Sequence, residues 1–292
     1  MHFVNAKSIL GPHSMNVYRG CTHGCIYCDS RSKCYQFAHD FEDIEVKQNA
    51  PELLEEALRK KRKRCMIGTG SMCDPYIPLE KDLCVMRRCL EVIDRNNFGA
   101  AVITKSDLVL RDIDILERIN RKAKTVVQMT LTSFDDDLSR LIEPGVCVTS
   151  RRFEVLCECR DHGIPTVVWF TPLLPFINDT EENVDGILDY CVRAGVKAVV
   201  CFGIGLTLRE GNREYFYSAL DRLSKKDGRF RGIKERYIKT FGNSYIVSSP
   251  NENRLMNRIF QTCRKNNIML GTDSVFKWMD EFPEDSLQPE LF

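Results

Sequence analysis

Three cysteines, Cys21, Cys25 and Cys28, stand within ten residues that read Arg19-Gly20-Cys21-Thr22-His23-Gly24-Cys25-Ile26-Tyr27-Cys28. Gly20 and Gly24 precede the first two and let the backbone curl through positive φ, so the thiolates can converge on one small object. Soft thiolates suit zinc or an iron–sulfur cluster. A purely structural site normally closes with four protein ligands. Three thiolates on a cubane cluster would leave one iron open to a substrate or cofactor. His23 and Cys34 lie close enough in sequence to complete a zinc site instead. Zinc sites more often pair two short ligand motifs, and no second pair follows here.

The elements that would position this loop alternate in type. Helical patterns cover residues 51–64, 81–96, 107–121, 150–162 and 181–194, with Asp107 placed to cap the third. Between them lie apolar strand candidates at 65–67, 100–104, 125–131, 166–170 and 197–202, and Val17-Tyr18 leads into the cysteine loop as the first of six. Continuous apolar strands separated by amphipathic helices indicate an α/β chain with a parallel sheet covered by helices. Alternation alone leaves open whether that sheet is a partial barrel or doubly wound. In parallel barrels the reactive groups sit on loops after the carboxyl ends of strands. The cysteine loop and residues 68–76, 104–106, 130–133 and 172–175 all fall there.

The cysteine spacing, with an aromatic Tyr27 before the third cysteine, resembles the signature of the radical S-adenosylmethionine (SAM) enzymes. The resemblance implies that Cys21, Cys25 and Cys28 hold a four-iron four-sulfur cluster whose open iron is chelated by SAM. Reductive cleavage of SAM would then give methionine and a 5′-deoxyadenosyl radical, chemistry that the cofactor carries and the protein positions. It also implies a partial (β/α)6 TIM-type barrel with a short C-terminal extension. Residues 1–275 would form the catalytic domain and 276–292 a tail, a possible partner-binding peptide.

Further stretches resemble the spore photoproduct lyase-like branch. They are Tyr18-Arg19-Gly20-Cys21, the loop from Gly68 to Glu80, Thr104-Lys105-Ser106, Arg111-Asp112-Ile113-Asp114, Glu143-Pro144, Arg151-Arg152 and Phe241-Gly242-Asn243-Ser244-Tyr245. The resemblance implies that Asp74 meets the ammonium of SAM and Lys105 its carboxylate, as charge-assisted contacts. Thr130 matches a hydroxyl that reaches SAM, and Tyr27 belongs to the same cofactor-binding set. Cys73 is the candidate for returning a hydrogen atom to the product radical, although the lyase's donor aligns nearer Ser71. From residue type alone, Asp74 beside Pro75 also reads as a turn former. Lys105 also reads as a solvated loop lysine, Thr130 as an ordinary strand threonine, and the histidines as surface or packing residues.

The 292 residues carry a formal net charge of +1, which neither demands nor excludes a nucleic-acid partner. Basic runs occur at residues 59–64 and 229–236. Such runs at helix ends are usually solvated and suit the helix dipole. The first would lie on the face opposite the site. The final Gln288-Pro289-Glu290-Leu291-Phe292 resembles peptides that bacterial replication proteins insert into the sliding clamp, through Gln288, Leu291 and Phe292. The 14 cysteines are scattered rather than framed in a small loop-rich module, which reads as reduced thiols in an intracellular protein. Without an apolar run of roughly 18 residues, a soluble cytoplasmic protein with no membrane partner is expected. The resemblance also implies a reductant such as flavodoxin or ferredoxin.

The reading is a radical SAM enzyme acting on a modified nucleic-acid base in DNA repair. One alternative substrate is a peptide or small metabolite. A different class of answer is a non-catalytic, zinc-bearing nucleic-acid-binding protein.

Overall fold

The computed structural model describes residues 1–282. Its centre is a parallel sheet of seven strands, numbered here β1 (Ser14–Met15), β2 (Met66–Thr69), β3 (Gly99–Thr104), β4 (Thr125–Thr130), β5 (Thr166–Trp169), β6 (Ala198–Val200) and β7 (Met269–Leu270). They lie side by side in chain order, every neighbour parallel, with β1 and β7 at the two edges. The result is an open, barrel-like α/β sheet, as expected.

The strands are apolar on both faces because both faces are covered. Ile67, Val102, Val127, Met129, Val168 and Val199 pack in the core that contains the helices. Met66, Ala101, Val126, Val167, Ala198 and Val200 instead pack against Val275 and Met279. Those two belong to the helix Thr272–Asp280, which therefore fills the inside of the sheet. It runs straight across the boundary expected between residues 275 and 276. The clamp-like residues Gln288, Leu291 and Phe292 lie outside the described residues.

Local signals explain several elements. Pro51 sits in the first turn of Ala50–Lys60, where its missing N–H leaves no bond unmade. The Thr180 hydroxyl accepts from the Asn183 N–H and starts Glu181–Ala194, and Gly195 ends it at φ 66°.

Four expectations are corrected. Tyr18–Arg19 is not a strand of the main sheet. It pairs antiparallel with Glu45–Lys47, which in turn pairs with His2–Val4 in a small separate sheet. The first main strand is the two-residue β1, too short to leave a periodic pattern. Ser106, not Asp107, caps the third helical segment: its hydroxyl accepts from the Leu108 N–H 3.2 Å away. That segment opens as a 3₁₀ turn over Asp107–Asp112 before the helix Ile113–Lys122. The segment at 81–96 breaks at Cys84 (φ 50°) into Glu80–Leu83 and Val85–Arg95. Among the described residues, no helix is long and apolar enough to cross a membrane.

Candidate functional site

The cysteine loop leaves Tyr18–Arg19 through Gly20, at φ 91°. A Cβ there would stand 2.4 Å from the Phe41 carbonyl oxygen, so only glycine fits. The same carbonyl accepts the Cys21 N–H at 3.1 Å, and the Ile142 carbonyl accepts the Ile26 N–H at 3.0 Å. Gly24 turns at φ 69°. These bonds hold Cys21 and Cys25 buried and Cys28 partly exposed.

Spacing among the thiols bears on the two metal readings. A tetrahedral zinc with bonds of about 2.3 Å to sulfur holds its ligand atoms roughly 3.8 Å apart. Among the described residues, Cys21, Cys25 and Cys28 form no group with ligand atoms all within 4.8 Å of one another, with or without His23 or Cys34. Three thiols on one short loop suit an iron–sulfur cube that keeps one iron open. Cys34 is exposed and its Sγ meets Arg209 Nη1 at 3.4 Å. His23 is buried, hydrogen-bonded to Cys21 and 3.5 Å from Asp74.

Behind the loop lies a buried ionic network that sequence reasoning did not assign. Glu143 and Arg152 are both fully buried and form an ion pair at 2.6 Å. Glu143 Oε1 also accepts from the Tyr27 hydroxyl and, at 3.2 Å, from the Thr132 hydroxyl. Arg152 donates to the carbonyls of Thr130 (3.1 Å) and Cys147 (2.9 Å). Burial alone would push the Glu143 carboxyl up, but Arg152 and Lys105 outweigh it and hold it below the usual carboxylate range. Burial, reinforced by Glu143, keeps the Tyr27 phenol protonated far above its ordinary range. The Glu143-Pro144 and Arg151-Arg152 dipeptides carried a family resemblance, but nothing local in them announces a pair.

Lys105, at the end of β3, places its Nζ 5.9 Å from the centroid of the Tyr27 ring. Burial lowers its affinity for a proton, while the neighbouring Cys25 and Glu143 more than restore it, so it stays a cation. Tyr27 lines a cavity of about 400 Å³ with Asp29, Thr171, Phe202, Thr207 and Ile246 among its walls. Thr130 is buried at the end of β4. Tyr27, Lys105 and the three cysteines are thus brought together.

Two candidates are placed differently. Asp74 is engaged within the chain: Oδ1 accepts from Tyr76 N–H (2.8 Å) and the Thr104 hydroxyl (2.7 Å), and Oδ2 from Lys105 N–H (2.8 Å). It clamps the loop after β2 to the end of β3, in line with its turn-forming reading. Cys73 donates to the Gly20 carbonyl at 2.6 Å and lines a separate cavity of about 210 Å³ beside Tyr18, Arg19 and Lys47. It is absent from the lining of the Tyr27 cavity. A second buried network supports the loop containing Asp74. The Tyr76 hydroxyl donates to Asp112 at 3.0 Å, and Arg111 joins Asp112 (2.8 Å) to the fully buried Glu80 (2.7 Å).

The chain is 31% identical over 181 residues to an uncharacterised protein of Methanocaldococcus jannaschii, covering 61% of this chain and 67% of that one. A Mycobacterium tuberculosis protein is 28% identical over 224 residues, and the match covers 75% of this chain and 65% of that one. The chain therefore spans about two thirds of the length of these relatives. Among solved structures, a Cys-to-Ser mutant of spore photoproduct lyase superposes with a TM-score of 0.60 at 15% identity, covering 92% of this chain and 78% of that one. The same lyase complexed with dinucleoside spore photoproduct gives 0.59 at 13% identity, covering 87% and 74%. Likeness at that identity establishes a shared fold. The model of the radical SAM superfamily matches residues 15–191, from β1 through most of Glu181–Ala194 and across the whole cysteine loop. The chain belongs to the radical SAM superfamily, and its cofactors are a four-iron four-sulfur cluster and S-adenosylmethionine.

Proposed function

We propose that this enzyme directs radical SAM chemistry at a modified base in DNA, in the manner of a lyase. The observation that carries the reading is one juxtaposition: three thiols on one short loop, with a cationic Lys105 whose Nζ lies 5.9 Å from the ring centroid of Tyr27, itself a wall of the 400 Å³ cavity. When bound, the cluster and SAM supply a 5′-deoxyadenosyl radical upon one-electron reduction by an external reductant such as a flavodoxin or ferredoxin.

The chain's own residues do the positioning. Cys21, Cys25 and Cys28 hold the cluster. Lys105 meets the carboxylate of SAM, and the Thr130 hydroxyl reaches the same molecule. Tyr27 is a wall of that site, fixed by Glu143. Asp74 holds Lys105 in place through its backbone N–H rather than meeting the ammonium of SAM itself. Cys73, buried against Gly20 and Cys21, serves as a neighbour that supports the cluster loop.

The nucleobase reading rests on the fold shared with a lyase that binds a dinucleoside photoproduct, and on the cavity itself. Its volume suits a small ligand. Phe202, 62% exposed, offers a stacking face there, and Asp29, Thr207 and Ser248 offer polar partners for a base edge. Arg236 stacks 3.7 Å over Phe176, on the loop after β5, which places one basic run on the same side as the site. Association with a sliding clamp through Gln288, Leu291 and Phe292 would suit the same role.

The test is formation of 5′-deoxyadenosine by the anaerobically reconstituted protein with a chemical reductant. Ultraviolet-damaged DNA should raise the rate well above undamaged DNA, and Cys25→Ala should abolish formation altogether. A rate raised by peptides or metabolite mixtures and indifferent to damaged DNA would overturn the substrate class. No 5′-deoxyadenosine under any condition would overturn the activity itself.

A further inference from the structure

Away from the cysteine loop, on the small N-terminal sheet, the structure gathers His2, His39 and Glu45, with one ligand atom of each within 4.8 Å of the others. They come from three separate pieces of chain: the strand His2–Val4, the loop that follows Gln36, and the strand Glu45–Lys47. The two rings meet edge to face at 4.9 Å, and Phe37 supports His39 from another side at 5.7 Å.

The hydrogen bonds fix which nitrogen of each ring is available. His2 Nδ1 lies 3.0 Å from Asp43 Oδ2, and His39 Nδ1 lies 2.9 Å from the Asp40 carbonyl oxygen. Both partners are acceptors, so in the neutral imidazole each Nδ1 carries the proton and each Nε2 keeps a lone pair. Among the described residues, His39 Nε2 is buried, has no hydrogen-bond partner, and stands 3.8 Å from Glu45 Oε2. A buried ring nitrogen left with its lone pair unused, beside a carboxylate and a second imidazole, is the arrangement of a metal ligand whose other nitrogen is held by an outer acceptor.

We propose that His2, His39 and Glu45 bind a zinc ion, separate from the cluster, with water completing the coordination. Two imidazoles and a carboxylate suit zinc and disfavour magnesium or calcium, which take oxygen ligands. Bonds of about 2.0–2.2 Å would draw the ligand atoms to roughly 3.4 Å apart. That contraction lies within the rotamer freedom of these side chains, which are 40%, 18% and 20% exposed. Partial exposure also leaves a path for the ion and its water.

The position gives the ion a structural consequence. Phe41, two residues after His39, supplies the carbonyl that accepts the Cys21 N–H and abuts Gly20. Glu45 pairs in register with Arg19, the residue before that glycine. An ion joining residues 2, 39 and 45 therefore fastens the floor beneath the first cluster cysteine.

The test uses the full-length, cluster-loaded protein without a histidine tag, titrated with zinc against a chromophoric chelator while iron is measured in parallel. The expected result is one zinc per chain beyond the cluster metal. His39→Gln and His2→Gln should each weaken it at least about tenfold with iron content unchanged, and Cys34→Ala should leave it unaltered. Should His39→Gln disturb the cluster, His2→Gln decides alone, since His2 lies half exposed on the outer strand. Zinc binding that is absent in the wild type, unchanged in His2→Gln, or lost in Cys34→Ala overturns the assignment.

Discussion

At the carboxyl end of the sheet the chain buries charge: Glu143 against Arg152 behind Tyr27, and Glu80 and Asp112 against Arg111 behind Tyr76. Inside the sheet it buries almost only hydrocarbon, with Met66, Ala101, Val126 and Val167 closing on Val275 and Met279. The amino-terminal face is different again, with exposed charges answering one another: Arg59 reaches Glu55 at 2.9 Å and Lys60 reaches Glu56 at 3.8 Å. Hydrocarbon is the cheaper way to fill a core, since desolvating an ion pair can cost more than its attraction returns. The fully buried acids Glu143, Glu80 and Asp112 therefore mark where side chains must be held in one orientation rather than where the fold gains its stability.

The largest effect should come from breaking the pair behind Tyr27. Glu143→Gln leaves Arg152 buried without its partner and should cost about 3–5 kcal/mol in denaturant unfolding at neutral pH. Because the Glu143 carboxyl titrates below its ordinary range, its contribution is complete above about pH 5 and disappears as pH falls through the depressed native value. Acid titration should therefore narrow the gap between wild type and variant, and a gap that widened on acidification would contradict the assignment. Replacing both members, as Glu143→Leu with Arg152→Met, should recover much of the stability yet leave SAM affinity impaired. Full recovery of both would show that the pair has no positioning role.

Within the apolar interior, Met279→Ala should cost about 2–5 kcal/mol by opening a cavity. Iron content and SAM affinity at a temperature where the variant remains folded should not change. Loss of SAM binding there would mean that the two regions are coupled rather than separate.

Lys105→Ala should weaken SAM binding by about 1.5–3 kcal/mol, the worth of a hydrogen bond to a charged group, while the visible absorbance of the cluster is retained. Equal SAM affinity in variant and wild type would return Lys105 to the status of a loop lysine. The smallest effect belongs to the paired surface run. Arg59→Ala with Lys60→Ala should change stability by no more than about 1 kcal/mol and leave DNA affinity intact, whereas Arg236→Ala should lower it. The reverse order would move the proposed nucleic-acid face to the opposite end of the sheet.

The local chemistry of this chain is legible in its sequence. Cysteine spacing with adjacent glycines specifies a loop that can present three thiolates, and the apolar runs at 125–130 and 166–169 specify buried parallel strands. Thr180 and Gly195 delimit a helix by rules that act within a few residues. Such features are readable because cause and effect lie within one turn or one strand. The tertiary structure alone decided which side chains would face the loop. Tyr27 and Glu143 are 116 residues apart and Tyr18 and Glu80 are 62 apart, distances over which no periodicity survives. It decided that Asp74 would use its carboxylate on its own neighbours and that Cys73 would line a different cavity. It also sent Thr272–Asp280 into the sheet's interior and brought His39 between His2 and Glu45. Each outcome depends on where remote backbone arrives in space, a property of the packed chain rather than of any segment within it.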